Sequence, residues 1–144
     1  MGWFKNIFTP KSPSTKPRTI ELPPSKYQIR ESKIRQAGLV DGYHYTEHVE
    51  RVKQLKREGR HPESIDLLLK LVEATESEAR TAGGNWGVAP WYYEQLAIIY
   101  RKEKRFDDEV AILERYESQQ KAPGVGPSKL AERLKKAKAL ATER

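Results

Sequence analysis

An all-α protein of about five helices behind a basic N-terminal arm is what this sequence predicts, and three observations carry the expectation. Beyond Gly42 apolar residues recur at steps of three and four, the period of one helix face. Between these runs lie short Gly- and Pro-bearing phrases, where helices end and restart. With 33% charged and 37% apolar residues over 144 positions, the chain suits one domain with a thin core and a heavily solvated surface. No run of about 18 apolar residues exists to span a bilayer. The opening "MGWFKNIFTP" is too short an apolar run for a secretory h-region, so a cytoplasmic location is expected. Cys 0 removes disulfides, thiolate nucleophiles and cysteine metal motifs.

The arm is taken as residues 1–40 and the helical domain as residues 41–144. The net charge of +7 is unevenly placed. Residues 1–36 hold 8 Lys+Arg against 2 acids (+6), residues 37–127 hold 13 against 16 (−3), and residues 128–144 hold 6 against 2 (+4). Trp3, Phe4, Ile7 and Phe8 recur at about one-turn spacing and predict a short amphipathic anchor for a membrane surface or a partner. "TPKSPSTKPRTIELPPS" follows, with five prolines and little to bury, and reads as a disordered linker. "KYQIRESKIRQAGL" can hold a short helix stopped at Gly38, in the left-handed conformation glycine allows.

The elements of the domain then follow in order. Tyr45, Val49, Val52 and Leu55 form one stripe that Gly59 ends. Pro62, at a first-turn position where its missing N–H costs nothing, opens a second helix with Ile65, Leu68, Leu69 and Val72. "TAGGNWGVAP" breaks the chain, and Pro90 opens a third helix carrying Trp91, Tyr92, Leu96, Ile99 and Tyr100. After "EKRF" a fourth helix carries Val110, Leu113 and either Tyr116 or Glu117, ending at "KAPGVGPS". Ser128 is placed to cap a fifth, with Leu130, Leu134, Ala137 and Ala141 on its inner face.

Two successive hairpins call for a repeat comparison. "HVERVKQLKREG" aligns with "YEQLAIIYRKEK", and "GRHPESIDLLLKLV" with "KRFDDEVAILERYE", placing His48 opposite Tyr93. Both phrases resemble the tetratricopeptide repeat. The second offers Tyr93, Leu96, Ala97, Tyr100, Phe106, Leu113 and Tyr116 to that pattern; the first offers His48, Val52, Leu55, Gly59, His61, Ser64, Leu68 and Leu71. Val52, Ala97 and Ser64 stand where helices touch closely, and Arg51 and Glu109 depart from the pattern. The offset is 93 − 48 = 45 residues, against about 34 in the family, so about eleven residues are added, assigned to the end of the second helix and to "TAGGNWGVAP". The resemblance covers about residues 43–143, with the last helix as the polar-backed cap.

That resemblance implies a concave groove lined by first helices, holding an extended peptide or a partner helix. By position Thr46, Val49, Lys53 and Lys56, then Trp91, Glu94, Ile98 and Arg101, face it. The pattern that clamps chaperone carboxylates is absent, with Val49 and Lys53 standing where it would begin.

Sharper chemistry finds little footing. His44 and His48 share helical metal spacing, but a third ligand would have to come from Glu47 or the distant His61, and no HExxH is present. His61 takes the turn position of an aromatic ring and reads as a packing residue. Asp107, Asp108 and Glu109 suit a helix start, where the dipole favours acids, and lack a paired base or nucleophile. "GGNWGVAP" lacks GxGxxG and GK[ST], so no nucleotide cofactor is implied. Trp86, flanked by a glycine, is either a docking anchor or a plug between hairpins. "RLKKAKALATER" and "KSPSTKPR" offer charge to nucleic acid, though the middle of the chain is net acidic. The reading that results is a non-enzymatic protein-binding scaffold without metal or cofactor, with a homodimer through the groove as its second form. Nucleic-acid or peripheral membrane association through the arm is the alternative.

Overall fold

A computed structural model describes residues 20–84 and 86–143. The chain is all-α, as expected, with six α-helices and one small strand pair among the described residues, against about five helices expected. Residues 20–25 carry no regular structure, and the anchor residues Trp3, Phe4, Ile7 and Phe8, with the linker up to residue 19, lie outside the described residues.

Helix α1 spans Lys26–Ala37. Ser25 caps it: its Oγ accepts from Gln28 N at 3.2 Å, while Gln28 Oε1 accepts from Ser25 N at 2.9 Å. The helix packs on α3 (His61–Ala82) through buried Ile34, and Arg30 donates to the Ala82 carbonyl at 2.9 Å. Residues 26–40 therefore join the folded unit, which begins ahead of the boundary expected at residue 41. Gly38 does stop α1, but with φ −92° rather than a left-handed turn. Space is the reason: a Cβ there would lie 2.6 Å from Glu78 Oε2 and 2.9 Å from His44 Nε2.

Strands β1 (Leu39–Val40) and β2 (Tyr43–His44) pair antiparallel, Leu39 with His44 and Val40 with Tyr43. The two-residue loop Asp41-Gly42 has φ 51° and 85°, the doubly left-handed turn that an Asp-Gly pair favours. Helical periodicity hid this hairpin, because Tyr45 fits the stripe of the next helix. Tyr45 instead opens a 3-10 turn, Tyr45–His48, before α2 at Val49–Arg57.

The remaining helices are α4 (Pro90–Lys102), α5 (Phe106–Glu117) and α6 (Gly126–Thr142). Each of α2 to α5 packs on its successor, and α6 covers both α4 and α5. Pro62 and Pro90 sit in first turns as predicted. Ser128 does not cap α6, which starts at Gly126 with Pro127 in its first turn; the Ser128 hydroxyl donates back to Val125 O at 3.2 Å. At 22 residues α3 is the longest of these helices.

The two interhelical turns are built alike. Arg60 N donates to Leu55 O at 3.0 Å and Arg105 N to Tyr100 O at 2.8 Å; Gly59 N reaches Lys56 O at 3.1 Å and Lys104 N reaches Arg101 O at 3.0 Å. Gly59 and Lys104 have φ 67° and 59°. Every pair is separated by 105 − 60 = 45 positions. One apolar core runs through both hairpins: Val52, Leu68, Leu71, Tyr93, Leu96, Ala97, Leu113 and Tyr116 are fully enclosed, and Leu130 and Ala137 of α6 close it. Leu69 and Val110, expected inside, are only half-buried, while Leu71 and Ile112 are inside instead. Of Tyr116 and Glu117, the tyrosine enters the core. The loop between α3 and α4 is pinned after Trp86. Val88 N donates to Gln120 O at 2.8 Å, and a side chain at Gly87 would overlap the Lys121–Ala122 peptide.

Candidate functional site

The α4 stripe Trp91, Glu94, Ile98 and Arg101 is half-buried throughout. Trp91 packs edge-on against Tyr92, with ring centroids 5.2 Å apart, and touches the core. Glu94 binds Lys129 of α6 at 2.8 Å. Arg101 turns toward α5, where its Nε lies 3.1 Å and its Nη2 2.6 Å from the two oxygens of Glu109; the shorter contact lacks hydrogen-bond alignment. In the first hairpin Val49 is half-buried on the core, and Lys53 is exposed, 3.4 Å from Glu50. Thr46 lies in the 3-10 turn, with its hydroxyl 2.8 Å from His44 Nδ1. Lys56 donates to Gln95 of α4, and desolvation, reinforced by nearby Lys102, lowers its pKa against the raising effect of Glu94.

Trp86 stands elsewhere. Its indole, 44% exposed, walls cavities of about 490, 350 and 240 Å³ beside α1 and the end of α3, with Glu31, Ile34 and Gly83 among its neighbours. Neither Trp91 nor Ile98 lines these cavities.

Three buried carboxylates hold the elements that frame this face, and the reading of the sequence missed all three. Glu76 accepts from both Nε and Nη2 of Arg115 at 2.8 Å, a bidentate pair, and from the Tyr93 hydroxyl at 2.8 Å. Glu78 accepts from Tyr45 OH at 2.9 Å and contacts His44 Nε2, tying the strand pair to α3. Positions two apart on a helix point different ways, so Glu76 serves α4 and α5 while Glu78 serves the opposite flank. Glu109 is the third, fully enclosed between Arg101 and Arg133. Its place in a run of acids pointed to a helix-start role, yet Arg105 occupies the cap position, where Asp108 accepts from Arg105 at 2.8 Å.

Burial and these acids also set the phenols. Tyr45 is pushed up to about 12, chiefly by burial, with the Thr75 hydrogen bond opposing and Glu78 reinforcing. Tyr93 is raised well beyond the usual range by burial and by its bond to the Glu76 carboxylate, and Tyr92 is raised mainly by burial. His44 and His48 diverge: His44 has Thr46 and Glu78 on its two nitrogens, and His48 Nε2 lies 2.9 Å from Val40 O. His61 Nδ1 lies 3.2 Å from Glu103 Oε1, linking the two interhelical turns rather than packing as a ring alone. No group of three or more His, Cys, Asp or Glu among the described residues is placed to hold a metal ion. No helix among them is long and apolar enough to cross a membrane.

Comparison with family models, with curated proteins and with solved structures gives no match for this chain.

Proposed function

We propose that this chain is a non-enzymatic scaffold of tetratricopeptide type, which holds a peptide or a helix of another protein against the face shared by α2 and α4. The observation that supports this reading is the pair of turns with one hydrogen-bond pattern, 45 residues apart, one after α2 and the other after α4. Along α4 the half-buried Trp91 and Ile98 sit seven residues apart, two turns of one stripe, with polar Glu94 and Arg101 between and beyond them. Half-buried apolar residues rimmed by polar ones suit the anchor pockets of a helix-in-groove complex.

Capture from native extract by the full chain, washed at high salt with nuclease, tests it beside an Ile98→Glu variant. A protein band kept by the first and lost by the second, with both melting at the same temperature, is the expected result. Equal retention by both would end the α4 reading.

The segregation of charge supports one other form, an adaptor tethered to nucleic acid or a membrane surface through residues 1–36, whose net charge is +6. Retention that disappears with nuclease, or vesicle binding lost on deleting those residues, is its signature. A homodimer through the α2/α4 face is the self-binding version of the main reading, detected as a mass doubling that Ile98→Glu abolishes.

A further inference from the structure

The junction of α4 and α6 holds a cavity of about 370 Å³ lined by Arg101, Lys129, Glu132, Arg133 and Lys136. Beneath it lies Glu109, fully enclosed, whose single carboxylate meets Arg101 at 2.6 Å and Arg133 Nη1 at 3.8 Å. Two guanidiniums share one acid, and their side chains are only 32% and 23% exposed. Lys129 is already matched by Glu94 at 2.8 Å. The four cations and the acids Glu94, Glu109 and Glu132 sum to 4 − 3 = +1, and two of the acids are engaged by Lys129 and the two arginines. Water screens such a half-buried excess less than it screens a surface lysine, and a guanidinium fork fits a carboxylate by two parallel bonds.

We infer that this cavity receives a carboxylate side chain from an acidic protein segment. The inference rests on the reading that α4 faces a bound peptide, and adds the partner's chemistry and polarity. Arg101 lies three residues beyond Ile98 on α4, a rise of about 4.5 Å, so an extended partner would place its acid one or two residues from the apolar side chain that meets Ile98. Of the three cations that sequence position sets along the groove, Lys53 lies 3.4 Å from Glu50 and Lys56 donates to Gln95, while Arg101 meets Glu109 and lines this cavity. Recognition of acid passes to α6. A nucleic-acid strand fits less well, because the carboxylates Glu132 and Glu94 stand among the cations and would face its phosphates.

The test is a side-chain and amide NMR titration of the full chain with acetyl-Leu-Glu-Glu-amide, with its Leu-Gln-Gln counterpart, and with a single-stranded oligonucleotide. Saturable shifts of the Arg101 and Arg133 Nε–H signals, with a Kd of about 1 mM for the acidic peptide and at least about 10-fold weaker for the Gln form, are expected. The double variant Arg133→Gln/Lys136→Gln should abolish the Arg101 shift, while the charge-matched Lys135→Gln/Lys138→Gln keeps both shifts; Arg101 remains with Glu109 in both, which preserves the fold. No saturable shift by about 20 mM, an equal response to both peptides, or equal loss in both double variants overturns the inference. So does an oligonucleotide that displaces the peptide from the arginines. Ile98 and Trp91 signals that respond equally to both peptides would leave the α4 reading standing without its acid pocket, whereas silence there as well would remove both.

Discussion

The hairpins α2–α3 and α4–α5 share a turn and a core pattern, and they differ in how the paired helices are closed. At the contact 45 residues apart the first has Ser64 and the second Glu109, both with no exposure. Ser64 needs no partner helix, since its hydroxyl donates to Arg60 O at 2.9 Å. Glu109 requires Arg101 from α4, and also draws Arg133 from α6. A small residue lets two helices touch, whereas a buried carboxylate recruits a third. The difference explains why α6 seats on the second hairpin: Leu130 and Ala137 supply apolar contact, and Glu109 with Glu94 fixes its register through ions.

The largest break in that comparison comes from Glu109→Ala, which leaves Arg101 facing a cavity. A loss of about 3 kcal/mol in urea unfolding is expected, at the low end for a broken buried pair because Arg101 is partly exposed, while Ser64→Ala should cost under about 1 kcal/mol. Similar losses for the two would mean that the ion pair is not what closes the second hairpin.

Alkaline pH sharpens the same contrast, because raised phenols concentrate in the second hairpin: Tyr92, Tyr93, Tyr100 and Tyr116 occupy positions whose counterparts are Glu47, His48, Leu55 and Leu71. The sign follows from linkage. Below pH about 10 these groups are protonated in both states; above it the unfolded chain releases protons that the fold retains, so stability falls as pH rises, by up to about 1.4 kcal/mol per pH unit for each phenol. The urea midpoint should drop from pH 10 upward, with the tyrosinate absorbance of these four enclosed phenols, beyond that of exposed Tyr27 and Tyr43, appearing only on unfolding. Tyr93→Phe should shallow the slope; ionisation of Tyr93 within a native fold would contradict its enclosure against Glu76.

The smallest effects test the turns themselves. Gly59 and Lys104 share a left-handed conformation that glycine adopts freely and lysine does not. Gly59→Ala, with open space for its Cβ, should lower stability by about 1 kcal/mol, and Lys104→Gly should raise it by about 0.5 kcal/mol. Thermal melts of the pair moving in opposite directions would support one shared turn, and parallel movement would count against it.

Helical periodicity and proline placement determined α2 to α6 to within a few residues, because a 3.6-residue stripe and a first-turn proline are local properties. The 45-residue correspondence was legible in the same way, since the two phrases align residue by residue. The Asp41-Gly42 turn was also a local signal, obscured only by the stripe that Tyr45 continues. Other features belong to the tertiary structure alone. Gly38 and Gly87 are required by atoms remote in sequence, Glu78 and the Lys121–Ala122 peptide. Glu76, Glu78 and Glu109 look like surface acids until Arg115, His44 and Arg101 are brought to them, because burial of a charge depends on partners that no local pattern names. Trp86 is the same case in reverse. Its sequence left anchor and plug equal, and packing set it half-exposed beside α1, since only the docked helix determines which side of the loop is covered.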